Sequence, residues 1–319
     1  MSTKNNIEII ENQALFELAN FDASESERTG YSDYSYWGST IKVFLKNRAA
    51  VVALIILGVL LTFTFIQPYL PGQRDPNEIN LSQETWRQLR NIKPGAEFWF
   101  GTNSIGQDLW ARIWRGTRTS MMIALMVATW NVAIGIIVGA IWGYVRSLDR
   151  IITEIYNVLN NIPTTIIMTL FAYMLRPSIS TMVIAMCATG WLPVSRFIRT
   201  QVVMIRDREY NLASRCLGTP AHRIISRNVL PYLVSVIMLR FALAVPGAIG
   251  AEVFLTYIGL GLPLSIPSLG NLINEGRQIM MVASMRYQLI FPAIVLSLIT
   301  ISFYVMGNAF SDAADPRNH

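Results

Sequence analysis

The chain has 319 residues, 52% hydrophobic and only 14% charged, with a mean hydropathy of +0.39, whereas a soluble domain carries about 25% charged residues. The expected solvent is therefore a bilayer, which argues against a soluble globular class. The net charge of +6 sits largely in short loops beside apolar segments, the mark of membrane topology; a nucleic-acid partner is not expected.

Residues 1–36 carry seven acids and two bases with little periodicity, which predicts a mobile cytoplasmic tail and no cleaved signal peptide. In "YWGSTIKVFLKNR", Trp37, Ile41, Phe44 and Leu45 share a helical face, and Lys42, Lys46 and Arg48 lie elsewhere. This predicts an interfacial elbow helix over 37–48. A span needs roughly 20 apolar residues, and six segments qualify, near 49–68, 119–145, 151–175, 179–200, 229–258 and 287–309. The expected fold is thus an all-α membrane protein with six transmembrane helices. Lys42, Lys46 and Arg48 precede span one, Arg146 and Arg150 follow span two, and seven arginines from Arg196 to Arg227 lie at or within the connection after span four. These belong to one side, which the positive-inside rule makes cytoplasmic together with both termini. The loop region 69–118 is then external.

In "FGTNSIGQDLWARIWRGTRTS", Leu109, Trp110, Ile113 and Trp114 recur on one face, and Asp108, Arg112 and Arg115 take the other. The pattern fits an interfacial anchor for span two and also a substrate role. Span three opens with Glu154, Asn157, Asn160 and Asn161 on a common stripe before Pro163; such a stripe lines a polar pathway or faces neighbouring helices. Span five contains Arg240, a Pro246-Gly247 pair expected to break the helix, and Glu252. Buried ionisable groups are costly, so Arg240 and Glu252 are expected to face the bundle or a wet cavity. Twelve residues of helix separate them by roughly 18 Å, too far for a direct pair. The two cysteines, Cys187 and Cys216, suggest no disulfide framework, and no catalytic residue or metal set is assigned.

Between spans four and five lies "REYNLASRCLGTPAHRIISRNVLP". Tyr210, Leu212, Ala213, Cys216 and Leu217 form apolar rows at helical spacing, with Arg208, Glu209 and Arg215 on a polar face. Gly218 suits the left-handed position after a helix, Thr219 the N-cap and Pro220 the first position of the next helix. A helix, sharp turn and helix with its own apolar surface suits a groove on another protein or a lipid surface.

The arrangement Ala213, Gly218 and Leu230-Pro231 resembles the "EAA" loop of binding-protein-dependent ABC importer permeases, E-A-A-x3-G-x9-I-x-L-P. Leu212, Ser214 and Asn228 stand where that pattern has Glu, the second Ala and Ile, and Glu209 lies one turn earlier. The segment from Phe100 to Ser120 is similar to the G-T-D-x-x-G-R-D-x-x-S-R segment of oligopeptide and dipeptide permeases, departing at Asn103 and Gln107. Their later E-x-x-L-S-F-L-G-L-G…P-S-x-G-x-x-L-x-E-G-R segment is matched at Glu252, Gly259, Gly261, Pro267, Ser268, Gly270, Glu275, Gly276 and Arg277, and "SDAADPR" resembles their ending.

The resemblance implies the C-type permease of an oligopeptide-type ABC importer, with a type I, MetI-like fold over 119–309 and a coupling loop at 204–228. It implies ATPase-coupling roles for Glu209, Leu212, Ala213, Leu217, Gly218 and Pro220, and it leaves Asn157, Asn161, Arg240 and Glu252 as pathway candidates. The implied partners are a second permease subunit in a heterodimer, two cytoplasmic ABC ATPases, an extracytoplasmic peptide-binding protein, a peptide substrate and membrane lipid, in a bacterial cell membrane. No G-x4-G-K-[ST] loop occurs and none of the four lysines lies in such a context, so no cofactor is expected on this chain. ATP and Mg belong to the partner ATPases, and the chain itself is not expected to be an enzyme. The alternatives are an ion-coupled secondary transporter, which needs midplane ionisable clusters, and a non-transporting membrane receptor or scaffold. Dipeptides, nickel chelates and glutathione are further substrates within the family.

Overall fold

The computed structural model describes residues 36–314. Apart from Tyr36, the expected tail 1–36 lies outside the described residues, as do 315–319 of the expected C-terminal tail 310–319. Among the described residues the regular elements are helices, with two isolated antiparallel bridges, Leu81 with Gln88 and Thr102 with Asp108. Helix α1 (Tyr36–Lys46) covers most of the segment 37–48. Asn47 then caps α2 (Arg48–Ile66), its Oδ1 accepting from the backbone N–H groups of Ala49 and Ala50 at 3.1 and 3.3 Å. Of the nearly uniform apolar surface of α2, only Ala50, Ala53, Leu57 and Thr64 are buried; the rest suits lipid.

Helix α3 (Leu109–Tyr144) has 36 residues, about 54 Å at 1.5 Å per residue, against a hydrocarbon core of about 30 Å. It therefore starts ten residues before the boundary expected at 119. Asp108 sets that start, its carboxylate accepting from the Trp110 N–H at 3.3 Å. Burial pushes the Asp108 carboxyl up from its ordinary range, and the N–H groups of Trp110 and Ala111 partly offset this.

The expected continuous span 151–175 is corrected. It is two helices, α4 (Arg146–Asn160) and α5 (Thr164–Met174), separated at Pro163. Proline disfavours helical backbone in the residue before it, and the 11 residues of α5 reach only about 16 Å. Five helices among the described residues are long and apolar enough to cross a bilayer: α2 extended to Tyr69, α3, α6 (Ile179–Arg206), α9 (Val234–Tyr257) and α11 (Tyr287–Ala313). The chain is a multi-pass all-α membrane protein in which the sixth span is not confirmed.

Between α6 and α9 run α7 (Glu209–Cys216), α8 (Ala221–Ile224), a π-helical turn (Ile225–Val229) and a short turn (Leu230–Tyr232). Span five is therefore interrupted at its start and not at Pro246, which lies inside an unbroken α9. Pro231 cannot donate to the Arg227 carbonyl and its ring crowds that oxygen; the widened turn sits immediately before it. At Pro246 a bundle with neighbouring helices tolerates the missing donor, and Pro246 is buried.

The seam between α3 and α6 is the most extensive helix contact. Gly135, Gly139 and Gly143 recur every fourth residue along it, the small-residue spacing that lets membrane helices approach closely. A Cβ on Gly139 would strike the Ser195 carbonyl and lie 2.8 Å from the Ile198 Cβ. Helices α9, α10 (Leu269–Ile279) and α11 close the bundle around Ile123, Val127, Met186, Ile249 and Ile299. Gly139→Val is expected to reduce the yield and the melting temperature of detergent-solubilised protein. Gly247→Ala, where nothing lies within 4 Å of the added Cβ, is expected to leave both unchanged or raised.

Candidate functional site

The linker between α6 and α9 is built as the residue types dictate. Arg208, in extended backbone, precedes α7, and Leu217 caps its C-terminal end after Cys216. Gly218 has φ +76°, a region that L side chains rarely adopt. Its N–H donates to the Arg215 carbonyl at 2.9 Å, and the Thr219 N–H donates to the Ser214 carbonyl at 3.0 Å. These two bonds form a Schellman turn. Thr219 is thereby committed to the outgoing helix, and the expected capping is shifted by one residue. Pro220, not Thr219, holds the N-cap position, and α8 starts at Ala221.

The outer surface of α7 and its turn is apolar and open. Tyr210, Leu212 and Leu217 are exposed by 47%, 42% and 86%, and Glu209, Ala213, Gly218 and Pro220 are exposed beside them. Exposing Leu217 that far is unfavourable in water, so this surface suits a partner. All six residues expected to couple to an ATPase thus share one surface segment.

The inner side of α7 is polar and fastened. Asp207 accepts from Arg146 of α4 at 3.0 and 3.1 Å, from Arg206 of α6 at 3.2 Å and from Arg215 of α7 at 3.2 Å. Arg215 also donates to the Arg206 carbonyl at 2.7 Å, and Arg206 donates to the Gly143 carbonyl at 2.9 Å. Burial raises the Asp207 carboxyl, but the three guanidinium groups outweigh it and hold the group below the usual carboxylate range. A second tie joins α4 to α6, where Arg199 donates to both oxygens of Asp149 at 2.7 and 3.0 Å. Those bonds hold Asp149 below its ordinary value.

The pathway candidates are not brought together. Asn157 and Asn161 are exposed on and just after α4. Arg240 is half-buried, its guanidinium 3.6 Å from the ring centroid of Phe197. Glu252 is fully buried. Ser120 Oγ donates to its Oε2 at 2.5 Å and accepts from the Leu269 N–H at 3.0 Å. A Cβ on Gly270 would lie 2.8 Å from Glu252 Oε1, so glycine there admits the carboxylate against the first turn of α10. Glu252 thus joins α9, α3 and α10.

Sequence periodicity missed a second buried cluster. Arg112, expected on a polar face, is 1% exposed; it donates to Glu275 at 3.0 Å and to Gln107. Asn103 Nδ2 donates to Gln107 Oε1 at 3.0 Å. The Tyr287 hydroxyl shares its one proton between the carbonyls of Ile92 and Thr102, at 2.9 and 2.8 Å. These contacts fasten the loop region after α2 onto α10 and α11. Among the described residues no group of three His, Cys, Asp or Glu could hold a metal ion.

Comparison with known proteins decides the class. Residues 131–319 match the family of binding-protein-dependent transport system inner membrane components, and residues 35–94 match the N-terminal TM domain of oligopeptide transport permease C. The chain belongs to this family of inner membrane components. The oligopeptide transport system permease protein AmiD of Streptococcus pneumoniae is 39% identical over 95% of this chain and 97% of its own length. The dipeptide transport system permease protein DppC of Bacillus subtilis is 33% identical over 92% of this chain and 89% of its own. OppC of the same organism, an oligopeptide transport system permease protein, is 31% identical over 95% and 97%. The chain is therefore a transmembrane permease subunit of an ABC transport complex.

Gly218→Val is expected to lower transport more than membrane insertion, while Gly218→Asn, which tolerates the left-handed region, retains most of it; uptake and membrane-fraction assays on the same cells check this. Asp207 adds a pH signature. Because its pKa is depressed in the fold, its contribution is complete above the ordinary value of about 3.9 and is lost as pH falls through the lower folded value. Limited proteolysis across the linker is expected to be constant from neutral pH down to about 4 and to rise below it, with Asp207→Asn faster at neutral pH and less sensitive to acid.

Proposed function

We infer that this permease imports peptides, driven by two cytoplasmic ABC ATPases that dock on α7 and its turn. The observation that carries the reading is the exposed apolar surface of Tyr210, Leu212 and Leu217 on a helix that is fixed from within by Asp207 and Asn211. A solvent-exposed apolar set on a rigidly held element suits a protein groove. Arg146 and the arginines of the linker support placing this end of the bundle in the cytoplasm with both termini, in a bacterial cell membrane.

In this reading a second, different permease subunit completes the pathway and an extracytoplasmic binding protein delivers peptide to the opposite face, where loop 69–108 and residues 259–286 lie. ATP binding in the partners, with Mg, closes them on each other; α7 is displaced, and α6 and α9 carry that displacement into the bundle. Hydrolysis and release reset the inward-facing state. Exposed Asn157 and Asn161 and the half-buried Arg240 offer amides and a cation to a peptide backbone and carboxylate. Glu252, held by Ser120, contributes by positioning the walls. The peptide class draws support from the oligopeptide and dipeptide permeases among the relatives.

Purification of the tagged chain in mild detergent tests this reading. A second permease and two ATPases are expected to co-purify, and their ATPase activity is expected to rise with peptide-loaded binding protein and not with nickel chelate or glutathione. A chain recovered alone that transports without ATP would contradict it and favour an ion-coupled transporter.

A further inference from the structure

Asparagine is a costly residue at a buried helix position, because its amide carries two donors and an acceptor that apolar neighbours cannot satisfy. Asn211 is nonetheless fully buried on the inner side of α7. Its Nδ2 donates to the Ile205 carbonyl at the end of α6 at 3.0 Å. Its Oδ1 accepts from Asn228 Nδ2 at 3.2 Å. The same Asn228 amide reaches Ser214 Oγ at 3.4 Å, and the Ser214 hydroxyl donates to the Tyr210 carbonyl at 2.9 Å. A polar ladder therefore runs from the end of α6, across α7, to the turn that starts span five.

The π-helical turn places the last rung. Ile224 and Val229 are both buried, at 1% and 0% exposure, yet residues five apart lie about 140° apart on an α-helix. Widening the turn over Ile225–Val229 brings both beneath the linker and leaves Asn228 against α7. Asn228 and Ser214 are also two of the three positions at which this chain departs from the loop pattern it resembles, having an amide for Ile and a hydroxyl for Ala. Each departure supplies a hydrogen-bonding partner for the other.

We propose that Asn211 and Asn228 are positioning residues for transport, fastening α7 to the end of α6 and to the start of span five. Apolar contact alone is non-directional and lets a short helix slide, whereas the amide bonds fix its register. Displacement of α7 then carries both spans together. The proposal rests on the reading of α7 as the helix that docks on the ATPases.

The test uses the whole native complex in proteoliposomes, with a labelled tryptic peptide mixture as the probe and uptake per ATP hydrolysed as the readout. Asn228→Leu removes the amide, and Asn228→Asp keeps its shape but cannot donate to Asn211. Both variants are expected to assemble and hydrolyse ATP as the unaltered complex does, but to carry about tenfold less label per ATP, the scale of one buried acceptor left unpaired. Unchanged uptake per ATP in Asn228→Asp, or loss of assembly in both variants, would overturn the proposal. Leu217→Asp separates the underlying reading. It is expected to release the ATPases; retention of the ATPases with normal uptake would overturn docking on α7 itself. Defective Leu217→Asp with normal Asn228 variants would overturn only the fastening.

Discussion

The close approach of α3 and α6 is the constraint on which the rest of the bundle depends. Glycine at 135, 139 and 143 leaves room for the backbone and side chains of α6, and two long helices become a single rod through the membrane. At one end of that rod the Gly143 carbonyl receives Arg206, and the Asp207 cluster gathers arginines from three helices. Toward the other end Ser120 of α3 bonds Glu252 and the backbone of α10. The linker and the loop-side helix are therefore attached to the same rigid element.

That attachment gives the proposed cycle a physical route. A displacement at α7 meets hydrogen bonds and charges on its inner side and enters α6 and the start of span five. From there, α3 and α9 connect it to α10 through Ser120 and Glu252. Such a route needs elements that move as units, and buried polar groups that leave few alternative arrangements serve that end better than apolar packing alone. The helical hydrogen-bond ladder is interrupted elsewhere, between α4 and α5 and at the turns around Leu233.

What the sequence revealed follows the range of the interaction. The Gly218 turn was legible because the Schellman bonds join residues three and five apart, and the exposed apolar row of α7 because helical spacing displays it. Pro163 stands within a nearly continuous apolar stretch that hides the interruption, and Pro246 carries the ordinary signal of a helix break although α9 accommodates it. The Arg112–Glu275 pair spans 163 residues and the Ser120–Glu252 bond 132, so no local periodicity could pair them. Arg112 itself misled, since a charge opposite two tryptophans suggests a wet face, whereas here it closes a buried contact. The glycine seam was present in "GIIVGAIWG" as an every-fourth-residue signal, and that spacing alone would have marked it.

The most direct measurement of the central claim is photocrosslinking from position 217 in intact membranes. Leu217 is replaced by a photoreactive residue, the cells are illuminated, and the attached protein is identified by mass spectrometry. Docking of α7 predicts a covalent adduct to an ABC ATPase subunit whose yield changes when nucleotide is depleted. Adducts to lipid alone, or a yield indifferent to nucleotide, would contradict it.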